Sequence, residues 1–204
     1  MRRVAVSLVL ALLSLAGQPA GGVAGKAPAR EKPEPEAAYD PVSRYAKKRI
    51  EGWDVLVNRR LLRKEHQELR DQTVKLLGDH LYRITRVVPA DALAQLRKIP
   101  IWVDLAEPHH PCMCYHVSVD WLREHHMNPD KAGAVEIANA RNFLVWTHEQ
   151  PWMVLHELAH GYHDQVLGYD HAGIRACYRR AVASKSYESV LHHDGQKVRA
   201  YALT

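Results

Sequence analysis

The fold of this 204-residue chain is decided by LHELAHGY at residues 155–162, where His156 precedes His160 by four positions and Glu157 follows the first histidine. On a helix of 3.6 residues per turn, the two histidines lie about 40° apart around the axis and about 6 Å along it. Both imidazoles therefore reach a single metal ion. Glu157 lies about 100° from His156, close enough to hold a metal-bound water without replacing a ligand.

The flanking sequence predicts that this stretch is helical. Pro151 stands where a first helical turn accepts proline, and Gly168 stands where a helix ends in a left-handed residue. The helical wheel separates an apolar side from a polar side that carries the candidate ligands. The apolar side holds Leu155, Leu158, Ala159, Tyr162 and Val166, and the polar side holds His156, Glu157, His160, His163 and Asp164.

Together with Tyr201-Ala202-Leu203-Thr204 downstream, this stretch resembles the catalytic domain of the anthrax-lethal-factor-like zinc metallopeptidases, which are gluzincins of the zincin fold. The resemblance covers roughly residues 53–204 in the order of its elements. It implies an α+β zincin-like metallopeptidase domain with a mixed sheet and an active-site helix. It also implies that His156 and His160 bind Zn²⁺, that Glu157 is the general base and that Tyr201 assists catalysis.

The family places its third zinc ligand, a glutamate, a few residues beyond the tyrosine. The resemblance therefore predicts that ligand beyond Thr204 and a weakly active or inactive chain as given. His163 and Asp164 lie about 10 to 12 Å along the helix from His156, too far to share its ion. Glu188, the sole glutamate after the pentad, precedes a predicted hairpin and is a poor third ligand.

The predicted function is that of an exported zinc metalloendopeptidase that hydrolyses peptide bonds through a metal-activated water. Its partner would be a peptide or protein substrate. The alternative is a catalytically inactive zincin-like module that lacks its third zinc ligand and binds a partner without cleaving it.

The first 39 residues predict export. Arg2 and Arg3 precede an apolar segment and small residues, so residues 1–25 are predicted to be a signal peptide, and residues 26–39 form a Pro/Lys/Glu-rich disordered linker. The predicted metallopeptidase domain spans residues 40–204. The expected location is secreted or periplasmic, with membrane contact only through an uncleaved signal. Removing the signal takes two of 28 basic and none of 23 acidic residues, and the remaining charge of +3 predicts no nucleic-acid partner.

Further elements are predicted from periodicity and turn residues. Strands are expected at residues 53–57, 99–105 and 134–138, and a short helix after Asp40-Pro41. Long helices are expected at residues 59–86 and after Tyr169, and a hairpin at Asp194-Gly195. By resemblance to zincins, residues 135–140 are the strand that pairs with extended substrate beside the zinc helix.

A second group of metal-binding residue types occupies positions 109–116, with sequence HHPCMCYH. Three alternatives remain open. The group is a metal site, or Cys112 or Cys114 forms a disulfide with Cys177, or the segment is an ordered loop with free thiols. A nuclease or other hydrolase built on this group is a weaker hypothesis, because no set of carboxylates accompanies it.

Overall fold

The first two strands that the structure describes form a β-hairpin, and the sequence predicted only the second of them. The computed structural model describes residues 39–192 and 194–200, so the predicted signal peptide, most of the linker and Tyr201 lie outside it. A 3-10 turn at Val42–Arg44 leads into strand β1, Tyr45–Ile50, and then β2, Trp53–Asn58. Glu51 and Gly52 join the strands with φ of 48° and 95°, the positive values that a tight hairpin turn requires. β2 was predicted and β1 was not.

One mixed sheet organises the domain. Its order is β1-β2-β3-β5-β4, where β3 is Ile101–Val103, β4 is Met113–Tyr115 and β5 is Val135–Ile137. β2, β3 and β5 run parallel, whereas β1 and β4 are antiparallel edge strands. A small separate hairpin, β6 at Val190–Leu191 and β7 at Lys197–Val198, turns at Gly195 as predicted.

Six α-helices complete the described part of the chain, which is of the α+β class predicted. They are α1 (Gln67–Val87), α2 (Ala90–Leu96), α3 (Val119–Glu124), α4 (Ala140–Glu149), α5 (Met153–Tyr162) and α6 (Ala172–Ser184). α1, α4 and α5 contact one another or the sheet and enclose the main apolar core. Fully buried Trp53, Val103, Ile137, Phe143 and Leu158 belong to this core.

The opposite face of the sheet buries charge instead of a large apolar core. Lys131, between α3 and β5, contacts both Asp104 and Glu136, and all three side chains are buried. Asp104 also accepts hydrogen bonds from Tyr45 Oη at 2.8 Å and Asn58 Nδ2 at 2.6 Å. The network is shielded by a small apolar cluster that includes Tyr45 and Trp102.

Three sequence-based expectations need correction. The helix expected from residue 59 begins only at Gln67, because turns fill residues 59–66. The short helix after Asp40-Pro41 is a single 3-10 turn. Residues 135–140 are not a substrate-binding edge, because β5 is hydrogen-bonded to β3 on one side and β4 on the other, and a helix begins at Ala140.

Membrane-crossing helices are absent from residues 39–192 and 194–200. None of the helices there combines the length and the apolar character that crossing a bilayer demands.

Candidate metal centre on helix α5

Helix α5 forms where the sequence predicts a helix. It is followed by a π-helical turn at His163–Leu167, which ends at Gly168 with φ of 74°, a conformation that favours glycine. The buried side differs from the predicted one: Val154, Leu158 and Gly161 face the core, whereas Ala159 and Val166 are exposed. Leu155, Ala159 and Tyr162 instead line an apolar groove against α2 and α6.

The two predicted zinc ligands point at one position in space. His156 Nε2 and His160 Nε2 are 3.1 Å apart, and both side chains are exposed. A tetrahedral zinc with Zn–N distances of 2.0–2.1 Å separates two nitrogen ligands by roughly 3.4 Å. The pair therefore fits a zinc ion with very small movements of the rings. Burial, followed by the charges of His156 and His163, lowers the pKa of His160.

The carboxyl group of Glu157 is hydrogen-bonded to the edge strand β4. Its Oε2 accepts a hydrogen bond from the backbone N–H of Tyr115, at 2.9 Å. Burial raises the pKa of Glu157 to about 7, and the hydrogen bond from Tyr115 opposes that rise. The carboxyl group thus lies between α5 and β4 and is half-buried.

Tyr115 fastens the edge strand β4 to α5 and to the π-helical turn that follows α5. Besides its N–H bond to Glu157, its Oη donates to Asp164 Oδ2 at 2.6 Å, and Gln165 Nε2 donates to that same Oη at 3.0 Å. Its ring packs on Gly161, where an added Cβ would lie 3.0 Å from Tyr115 Cε2. The position of α5 relative to the sheet edge therefore depends on this tyrosine.

Sequence reasoning missed Tyr115. The strand that carries it is three residues long and lies inside the histidine- and cysteine-rich segment, which was interpreted as a possible metal site or loop. The available signal was the alternation of Met113 and Tyr115 with Cys114, too short to identify a strand by itself.

The structure brings His156 and His160 together, while Glu157 of the same helix bonds to β4 and the other predicted residues lie apart. Tyr201 lies outside the described residues. Glu188 makes an ion pair with Arg199 at 3.4 Å on the β6–β7 side of the chain. Within residues 39–192 and 194–200, no His, Cys, Asp or Glu completes a three-ligand group with His156 and His160.

A different group of three does converge. Ligand atoms of His110, Cys114 and His116 all lie within 4.8 Å of one another, so this group could hold a metal ion. Cys112, Cys114 and Cys177 are all free thiols, and the disulfide alternative is therefore not realised in this structure.

Comparison with known proteins identified no relative of this chain. Neither the models of protein families, nor the curated proteins, nor the solved structures contain a match to this chain.

Proposed function

We propose that this protein is an exported zinc-dependent metallopeptidase with a zincin-like fold. The observation that carries the proposal is the convergence of His156 Nε2 and His160 Nε2, 3.1 Å apart on α5, the helix that also carries Glu157. These are the residues that the resemblance assigns to zinc binding and to proton transfer. When bound, zinc would polarise the scissile carbonyl group and lower the pKa of a water molecule.

Glu157 moves the protons in this proposal. Its Oε atoms accept the proton of the attacking water and return it to the nitrogen of the leaving amine. The N–H of Tyr115 fixes the orientation of the carboxyl group, so that Glu157 does not swing toward the histidines as a ligand. Tyr201, by resemblance, donates a hydrogen bond to the developing oxyanion.

The edge strand β4 supports a peptide as the substrate. Cys112 O accepts from Ala138 N, and His116 N donates to Ala134 O, so alternate backbone groups of this segment bond to β5. Because hydrogen bonding alternates along an antiparallel pair, the backbone groups of Met113 and Tyr115 point away from β5. The N–H of Tyr115 is already bonded to Glu157, so the groups that face a peptide are those of Met113 and the carbonyl of Tyr115. An extended peptide can add to that edge beside Glu157, a common mode of peptide recognition.

A second candidate function is a zincin-like binding module without catalysis. It is favoured by one observation, that the part of the chain the structure describes supplies two ligands at α5 and no third. Such a module would still use the β4 edge to bind a peptide.

Peptide cleavage distinguishes the two functions. The protein is tested as it is encoded, with whatever its reading frame carries beyond Thr204, loaded with zinc and incubated with a mixed peptide library. We expect new termini at backbone amide bonds, and a rate that falls by about 10²- to 10⁴-fold in Glu157→Gln. Glu149→Gln, on the exposed end of α4, is the matched control and should cleave normally. Peptide binding without cleavage in the zinc-loaded wild type would establish the binding module instead.

A further inference from the structure

The second group of metal-binding side chains lies on the opposite face of β4 from helix α5. Side chains alternate along a strand, and Tyr115 packs its ring against Gly161 of α5, so Cys114 and His116 point to the other face. His110, in the loop before β4, joins them there. Cys112 is not part of this group, because its Sγ lies 3.7 Å from Met153 Sδ inside the main core.

The separations within the group match those of a metal site. A tetrahedral zinc with Zn–S near 2.3 Å and Zn–N near 2.0–2.1 Å places sulfur and nitrogen ligands roughly 3.6 Å apart. Cys114 Sγ and His116 Nε2 are 3.5 Å apart. The widest separation between ligand atoms is within 4.8 Å. Because His110 lies in a loop, a rotation of its side chain brings its ring closer to the other two ligands.

An unsatisfied nitrogen provides a second, independent observation. His110 Nε2 is buried and has no hydrogen-bond partner among the described residues, and buried polar atoms are rarely left unpaired. Its ring stands edge-on to that of His116, with centroids 5.4 Å apart. A metal ion shared by the two imidazoles would give this nitrogen its missing partner.

The surroundings favour a cation and give it access. Glu136 Oε2 lies 2.6 Å from His116 Nε2, so a metal ion bound at this nitrogen takes the place of the hydrogen that His116 donates to Glu136, and neutral His116 then carries its proton on Nδ1. The buried carboxylate, which also contacts Lys131, remains beside the site. The three ligands also line an open groove of about 530 Å³ together with Asp120, Trp121 and Glu124. Three protein ligands facing a groove leave a fourth coordination position for a small molecule from solvent.

We propose that His110, Cys114 and His116 form a second metal site, separate from the histidine pair of α5, that binds one Zn²⁺ or Cu⁺ ion. One thiolate and two imidazoles are ligands that select these metals over Mg²⁺ or Ca²⁺. Binding replaces the thiol proton of Cys114 with the metal and releases that proton to solvent. Because Cys114 precedes Tyr115, an ion here also fixes the strand that positions Glu157.

The test removes the first site so that the second is measured alone. The 204-residue chain with His156→Ala and His160→Ala is titrated with Zn²⁺ against a chromophoric chelator under reducing conditions, and separately with Cu⁺ against a copper(I) chelator. We expect one tightly bound equivalent of one of these metals. Because this variant lacks the α5 ligands, its metal binding tests the second site independently of the proposed function.

Variants then assign the ligands. Adding Cys114→Ser should weaken binding by about 100-fold or more, since loss of a mere supporting partner already costs 10- to 100-fold. Cys177→Ser, an exposed thiol on α6, is the matched control and should leave binding unchanged. His110→Ala removes a ligand that lies in a loop, so its effect on metal binding does not depend on whether β4 tolerates the Cys114→Ser substitution. Cobalt substitution should show a thiolate charge-transfer band that Cys114→Ser abolishes.

Two outcomes would overturn the second site. One is the absence of a bound equivalent of either metal in the double variant. The other is binding that survives both Cys114→Ser and His110→Ala, which would locate the metal elsewhere.

Discussion

Replacing Lys131 by methionine should destabilise the domain by about 3 kcal/mol. Lys131 is 3% exposed, and among the described residues it is the only lysine that contacts the carboxylates of Asp104 and Glu136, which are 4% and 0% exposed. Removing one partner from a buried ion pair costs about 3–5 kcal/mol, because the remaining charge loses its compensation without regaining water. Hydrogen bonds from Tyr45, Asn58 and His116 to these carboxylates remain, and they hold the loss at the lower end.

The assay is urea unfolding at neutral pH, followed by circular dichroism. Lys98→Met is the matched control, since Lys98 is exposed and bonds only to Gln95 in the described contacts; it should change the free energy of unfolding by less than about 0.5 kcal/mol. Adding Asp104→Asn and Glu136→Gln to Lys131→Met should restore part of the loss, because the buried charges are then removed together. A Lys131→Met protein within 1 kcal/mol of wild type would refute this reasoning.

Two further predictions concern α5 and its reaction. Gly161→Ala should lower the free energy of unfolding, because the new Cβ would lie 2.6 Å from Ile99 Cδ1. Gly78→Ala should raise the free energy of unfolding by about 0.5–1 kcal/mol, because its Cβ would lie 3.7 Å from Ile50 Cγ2, an ordinary contact. Equal gains in stability at both positions would contradict the close packing of α5 on the sheet. Tyr201→Phe should reduce turnover roughly 100- to 1000-fold in the protein as it is encoded, with zinc affinity nearly unchanged, and an unaltered turnover number would assign Tyr201 a packing role.

The local parts of the fold were predictable from the sequence. Helix α5, the end of the following π-helical turn at Gly168, and strands β2, β3 and β5 follow from periodicity, apolar runs and turn residues that act over a few positions. His156, Glu157 and His160 were predictable for the same reason, because their spacing on one helix fixes their relative positions.

The long-range parts were not predictable in this way. β1 has the sequence YAKKRI, whose basic residues give no strand pattern until β2 pairs with it. Residues 135–140 were expected to pair with substrate at an edge, but β5 is a central strand in which Lys131 allows Glu136 to be buried. The order of strands decides which one is the edge, and strand order depends on pairing between distant segments. That is why β4, and with it Tyr115, escaped the sequence analysis.

The central claim is that His156 and His160 bind zinc and that Glu157 does not. The most direct measurement is a competitive zinc titration of the Glu157→Gln and His156→Ala variants. Each variant also carries Cys114→Ser, so that the second metal site does not contribute. The account predicts that Glu157→Gln binds zinc as the Cys114→Ser parent does, while His156→Ala loses affinity by about 100-fold or more. Loss of zinc from Glu157→Gln, or full retention by His156→Ala, would contradict it.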